Sequence, residues 1–217
     1  VTEILGIDEA GRGPVIGSMF IGGFLVEESE LGRLEELGLK DSKKLSDQAR
    51  DRLRTEVDAY GETLLREVEA PVLDDKMEEV TINDVELEEF AALISRAQPE
   101  KVVIDLPEHD ADVYEEKLLS RLDFDPEVTA EHGADAAYPI VSAASVVAKS
   151  ARERHVERLH EKYGVDFDSG YPHDEATIEF LNGYVRSTGD LPDEARRQWS
   201  TSQRILRKAR QQDLDGY

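Results

Sequence analysis

Cysteine is absent from this chain, which excludes disulfides and thiolate zinc sites and points to an intracellular home. No apolar run approaches the roughly 20 residues that span a bilayer. The N-terminus lacks a basic segment followed by an apolar core, so neither a membrane anchor nor a signal peptide is expected, and the expected location is the cytoplasm. The five histidines show no HExxH spacing, which leaves zinc hydrolysis with little support. Positive charge is also sparse: 26 lysines and arginines stand against 49 acids, a net charge of −23.

That imbalance bears on which partners are allowed. The acids are spread over every expected helix instead of being gathered in a tail, which reads as a protein built for molar salt rather than as a disordered acidic chain. At 1 M salt the Debye length falls to roughly 3 Å, so general repulsion from a polyanion is screened. Counterion release loses most of its driving force there. Negative charge therefore does not exclude nucleic acid, but such a partner must be held by short-range contacts.

At 217 residues with 39% hydrophobic content, the chain can build one sizeable core. Apolar runs predict strands over 2–8 and 15–26, and alternation predicts a third over 62–68. Ser46 reads as the N-cap of a helix over 47–59. Asn83 with Glu86 reads as a capping-box-like start for a helix through Ala97. Lys101–Asp105 is a short β-branched run, followed by a polar helix over 111–122 and a strand near 126–131. Pro139 stands at a first helical position, and residues 140–163 read as one long helix. Helices over 173–182 and 193–212 complete the chain. Strands first, then alternation, then helices predict an α/β fold: a mixed sheet flanked by helices. The expected division is a catalytic domain over 1–192, with a C-terminal basic helix and tail over 193–217 packed on it.

The most informative stretch is Ile7-Asp8-Glu9-Ala10-Gly11-Arg12-Gly13-Pro14. Adjacent carboxylates at a strand terminus suit a hard divalent cation, which prefers oxygen ligands. The Gly-Arg-Gly turn can bring backbone N–H groups and a guanidinium against a phosphate or sugar. Asp105 closes a later strand and Asp135 precedes the long helix. Alone, either reads first as a solvated turn or cap residue. Together with Asp8 and Glu9 they make the set that two-metal phosphodiester hydrolysis needs, with Mg²⁺ or Mn²⁺ ions roughly 3.5–4 Å apart.

These residues also carry a family resemblance. Gly6–Pro14, Asp41-Ser42-Lys43-Lys44-Leu45, Val103-Ile104-Asp105, Asp135–Pro139 continuing through Val141–Lys149, and Ser169-Gly170-Tyr171-Pro172 resemble, in order, the motifs of ribonuclease HII, with spacing of the archaeal type. The acidity suggests a halophile. The resemblance implies a ribonuclease H-like fold with a C-terminal helical extension. It implies an endoribonuclease that cuts RNA in RNA–DNA hybrids and incises 5′ of single ribonucleotides in duplex DNA, leaving a 3′-hydroxyl and a 5′-phosphate. Asp8, Glu9, Asp105 and Asp135 would be the metal-binding catalytic acids, holding two Mg²⁺ or Mn²⁺ ions in the working complex. Gly11, Arg12 and Gly13 would read the 2′-hydroxyl and adjacent phosphate, Tyr171 would stack under the sugar at the RNA-to-DNA junction, and Lys43 would contact the backbone near the scissile phosphate. A 2′-hydroxyl is what separates RNA from DNA locally, and glycines permit the close approach that reading it requires. Read by residue type alone, Tyr171 is a packed loop aromatic and Lys43 a solvated loop cation.

Between Ala195 and Gln212 no acid occurs, while Arg196, Arg197, Arg204, Arg207, Lys208 and Arg210 do. On a helix over 193–212 these form a basic face for a duplex backbone, with Trp199 as a core anchor on the other side. Gln211, Leu214 and Tyr217 resemble three positions of a sliding-clamp-binding peptide, whose second terminal aromatic is missing. The chain is expected to be a monomer.

Overall fold

The structure, a computed structural model, describes residues 1–39, 47–106 and 110–215. Lys43, the rest of the Asp41–Leu45 motif, the expected cap Ser46 and Tyr217 lie outside these. Along the chain run β1 (Glu3–Ala10), β2 (Met19–Glu27), α1 (Leu31–Glu36), α2 (Asp47–Val57), β3 (Glu62–Val68), α3 (Ala70–Lys76) and α4 (Ile82–Ala97). There follow β4 (Lys101–Asp105), α5 (Ala111–Leu119), β5 (Glu127–Glu131), α6 (Ala134–Ala137), α7 (Pro139–Tyr163), α8 (Glu175–Thr188) and α9 (Ser200–Asp215). The strands form one mixed sheet in the order β3-β2-β1-β4-β5. β1 is antiparallel to β2 and parallel to β4, and β4 is parallel to β5. The expected α/β fold is the observed one.

The chain divides into two compact units. The first comprises Val1–Ala10, Phe20–Glu67 and Thr81–Glu153. Its core joins Ile4, Phe24, Val26 and Val103 of the sheet to Leu53 and Val57 of α2 and to Ile140, Val141, Ala143, Ala144 and Val146 of α7. Small residues let α7 lie close on the strands. A Cβ added at Gly22 would come within 2.7 Å of the Ala148 nitrogen, and one at Gly6 within 2.9 Å of that of Val141, distances that real Cβ atoms do not adopt. The low-volume run Ser142–Ala148 is thus the packing counterpart of the glycines in β1 and β2.

The second unit comprises Gly11–Met19, Val68–Val80 and Arg154–Tyr217. Its core gathers Val15, Ile16, Val156, Leu159, Phe167, Leu181, Val185, Leu191, Ala195 and Ile205. Aromatic contacts extend it, with Phe167 stacked on Phe180 at 5.1 Å.

Several boundaries differ from expectation, each for a local reason. β1 runs two residues further, because Asp8, Glu9 and Ala10 continue the ladder with Gly22, Ile21 and Phe20. β2 begins at Met19 instead of residue 15, since Val15 and Gly17 donate their N–H groups to the Gly170 and Glu194 carbonyls. The capping box of α4 is Thr81 with Asp84; Glu86 is instead fully buried on the helix. The last helix starts at Ser200, not 193. Arg196 and Arg197 therefore are not on it, and the expected basic face shrinks to Arg204, Arg207, Lys208 and Arg210, all exposed.

Candidate active site

Register brings two of the acids together. Ile7 of β1 pairs with Ile104 of β4 in parallel, so Asp8 and Asp105, one residue further along each strand, stand side by side. Asp135 arrives from the single turn of α6. Carboxylate oxygens of Asp8, Asp105 and Asp135 all lie within 4.8 Å of one another. Asp8 and Asp135 are buried and Asp105 is half-buried.

The surrounding backbone and helix orient this group. Asp105 Oδ1 accepts from the Gly133 and Ala134 N–H groups at 2.8 and 3.2 Å, a bend that Gly133 makes at φ +71°. Ser142 Oγ donates to the Asp135 and Tyr138 carbonyls, tying α6 to the first turn of α7. Two turns further along α7, Lys149 Nζ donates to Ser145 Oγ at 2.7 Å and lies 3.9 Å from Asp135. Burial, followed by the neighbouring Glu9 charge, pushes the Asp8 carboxyl well above the usual carboxylate range. Asp105 adds to that rise, and a Ser145 hydrogen bond and the Lys149 charge offset part of it.

Glu9 lies outside the group of three. Its charge nonetheless reaches the Asp8 carboxyl, and its backbone N–H donates to Asp8 Oδ1 at 2.8 Å. Sequence reasoning passed over Ser145; its signal was the four-residue spacing to Lys149, which puts the pair on one face of α7.

The donor set fits a hard divalent cation. Every ligand offered is a carboxylate oxygen, and the like charges that crowd Asp8 are those a cation neutralises.

In the second unit the glycine turn meets the tyrosine motif. Gly11 sits at φ +83°, a left-handed conformation that side chains resist. A Cβ on Gly13 would stand 3.1 Å from the Tyr171 ring, so the turn lies against that ring. Tyr171 is half-buried; its N–H donates to Asp174 Oδ2 at 3.2 Å, and its ring centroid lies 5.3 Å from that of His173. Arg196, assigned by the sequence to an exposed basic face, is fully buried behind the turn. Arg197 forms a two-pronged pair with Asp190 at 2.8 and 3.1 Å. Trp199 packs against the core of this unit, as its expected role of core anchor requires.

A mixed five-stranded sheet that converges three carboxylates on one spot is the arrangement of a ribonuclease H-like nuclease. A family model described as Ribonuclease HII matches residues 5–202. Ribonuclease HII of Thermococcus kodakarensis is 40% identical, over 99% of this chain and 98% of that protein. Among solved structures, the ribonuclease H2 of Pyrococcus horikoshii superposes with a TM-score of 0.91 at 37% identity, covering 96% of this chain and 99% of that one. The RNase HII of Archaeoglobus fulgidus, solved as a complex with PCNA, gives 0.84 at 40% identity, with coverage of 91% and 95%. The chain belongs to the ribonuclease HII family of metal-dependent endoribonucleases. Among the described residues no helix is long and apolar enough to cross a membrane.

Proposed function

We propose that this protein hydrolyses RNA in RNA–DNA hybrids and cuts duplex DNA on the 5′ side of a single ribonucleotide, leaving a 3′-hydroxyl and a 5′-phosphate. The observation that carries the reading is the approach of Asp8, Asp105 and Asp135 within 4.8 Å. In this reading those three acids, with Glu9 as the fourth, hold two Mg²⁺ or Mn²⁺ ions. When bound, such ions supply Lewis acidity and neutralise charge on the reacting phosphate.

The chain's own residues do the rest. The Gly133 and Ala134 N–H groups keep Asp105 in one orientation, so no reorganisation is needed when the site is charged. Lys149 places a cation beside Asp135, which offsets part of the negative charge gathered there. Gly11, Arg12 and Gly13 read the 2′-hydroxyl and its phosphate through close backbone approach. Tyr171, against which Gly13 packs, offers a flat face that suits a deoxyribose and crowds a 2′-hydroxyl, which gives junction preference. Lys43 supplies a backbone contact near the scissile phosphate. The archaeal relative solved with PCNA supports a sliding clamp as partner, reached through Gln211 on α9, Leu214 and Tyr217.

The test is cleavage of an end-labelled DNA duplex carrying one ribonucleotide, with Mg²⁺ or Mn²⁺, from low to molar KCl. A single cut 5′ of the ribonucleotide is expected; cutting only within long hybrids rejects junction recognition, and no cutting of either rejects the reading. Deleting residues 211–217 is expected to abolish clamp binding in a pull-down while leaving this rate unchanged. Clamp binding that survives the deletion removes the tail from the account.

A further inference from the structure

Arg196 heads the large side chains that are fully buried, in a protein whose charged residues are otherwise mostly at the surface. Burying a guanidinium is costly unless its donors are used, and here each of its three nitrogens donates to one stretch of backbone. Nε donates to the Gly17 carbonyl at 2.9 Å, Nη1 to that of Arg12 at 2.8 Å and Nη2 to that of Gly11 at 2.5 Å. One planar fork thus closes the loop from residue 11 to residue 17. Gly11 and Gly17 both stand at positive φ, +83° and +96°, so the fork holds a loop that other residues would resist entering.

The anchor is itself held. The Arg196 N–H donates to the Val15 carbonyl at 2.8 Å, and Ile16 bridges Ala195. The guanidinium lies 4.9 Å from the Trp199 ring centroid, a cation–π distance. Asp74 of α3, which is buried, accepts from the Arg197 and Gln198 N–H groups at 2.6 and 3.0 Å.

The consequence lies on the other side of the peptide planes. In a trans peptide the carbonyl and the following N–H point in opposite directions. With the Gly11 and Arg12 carbonyls turned to the buried fork, the N–H groups of Arg12 and Gly13 are directed away from it. We propose that Arg196 is a positioning residue for ribonucleotide recognition. It turns two carbonyls inward and so presents the Arg12 and Gly13 N–H groups to the 2′-hydroxyl and adjacent phosphate. The inference rests on the reading of residues 11–13 given above. Lysine cannot substitute, because an ammonium is a point charge without the planar fork.

The experiment uses the full chain carrying Asp105→Asn, which is expected to slow cutting about a hundredfold or more. Affinity is measured by fluorescence anisotropy for two duplexes that differ by one 2′-hydroxyl, with and without Arg196→Lys. Adding Arg196→Lys is expected to cut the preference for the ribonucleotide duplex about tenfold, the scale of one lost charged hydrogen bond. Affinity for the all-DNA duplex should move by less than about twofold. Amide hydrogen exchange read on the same proteins should speed up about tenfold across residues 11–17 and stay unchanged in β1 and β4. An unchanged preference, or equal loss on both duplexes with exchange in 11–17 unaltered, overturns the proposal. If the parent shows no ribonucleotide preference, it is the reading of residues 11–13 that fails, and the exchange data decide alone whether Arg196 holds the turn. Should Arg196→Lys not fold, Asp74→Asn loosens the anchor while keeping the fork. Its unchanged preference and exchange would overturn the proposal equally.

Discussion

Asp8 stands where a carboxylate is least comfortable: buried, next to Glu9 in the chain and side by side with Asp105 across two strands. Burial and those charges raise its pKa well above the usual range. Between the unfolded and the raised folded value, the native state therefore binds more protons than the unfolded chain. Stability falls as pH rises through that window, and the full penalty persists above it. Asp8→Asn removes the penalty. Without divalent cation, the variant is expected to melt higher than the native protein at pH 8. The gap should close as pH falls to about 4, near the ordinary carboxylate value. Adding Mn²⁺ should raise the melting temperature of the native protein alone, because binding to the folded state stabilises it. A variant that melts lower than the native protein at every pH without metal contradicts this picture. Sites of this kind trade stability for function.

At the scale of elements, the seam between β2 and α7 is set by volume. A Cβ at Gly22 has no room against Ala148, and the β2 backbone cannot move without disturbing the ladder beside Asp8. Gly22→Ala is expected to cost about 1–3 kcal/mol through overpacking, read as a shift in denaturant midpoint. Gly32→Ala on α1, where nothing lies within 4 Å, should leave stability equal or raise it by up to about 1 kcal/mol. Equal effects at the two positions would remove close packing as the reason for these glycines. The same local physics decided what could be read from the sequence. β3 alternates and β4 is a compact β-branched run, so both were legible to the residue; Pro139 marked the start of α7. The start of α9 was not, because Ala195, Arg196 and Arg197 have good helix propensity. What holds them out of a helix is tertiary: the Arg196 fork and the Asp74 acceptors, neither of which is near in sequence. α3 is too short for its period to show. Asp8, Asp105 and Asp135 were legible because the motifs that carry them, and for the first two the strand ends, agreed.

At the scale of the whole molecule, 49 acids serve two ends. Most form an exposed negative surface, whose repulsion toward a duplex is screened within roughly 3 Å in molar salt. Three converge where like charges are worst tolerated without a cation. If placement and not charge number is what matters, then two substitutions that change net charge equally must differ in effect. Asp105→Asn and Glu36→Gln are such a pair, since Glu36 is exposed on α1. The decisive measurement is the single-turnover rate of cutting at one ribonucleotide in a DNA duplex, taken for both variants and the native protein in molar KCl with Mn²⁺. Asp105→Asn is expected to bind the duplex but cut it slower by a hundredfold or more, about the loss of several kcal/mol of transition-state stabilisation. Glu36→Gln should stay within about twofold of the native rate. Native-like cutting by a folded Asp105→Asn protein would contradict the assignment of the three acids as the reactive centre.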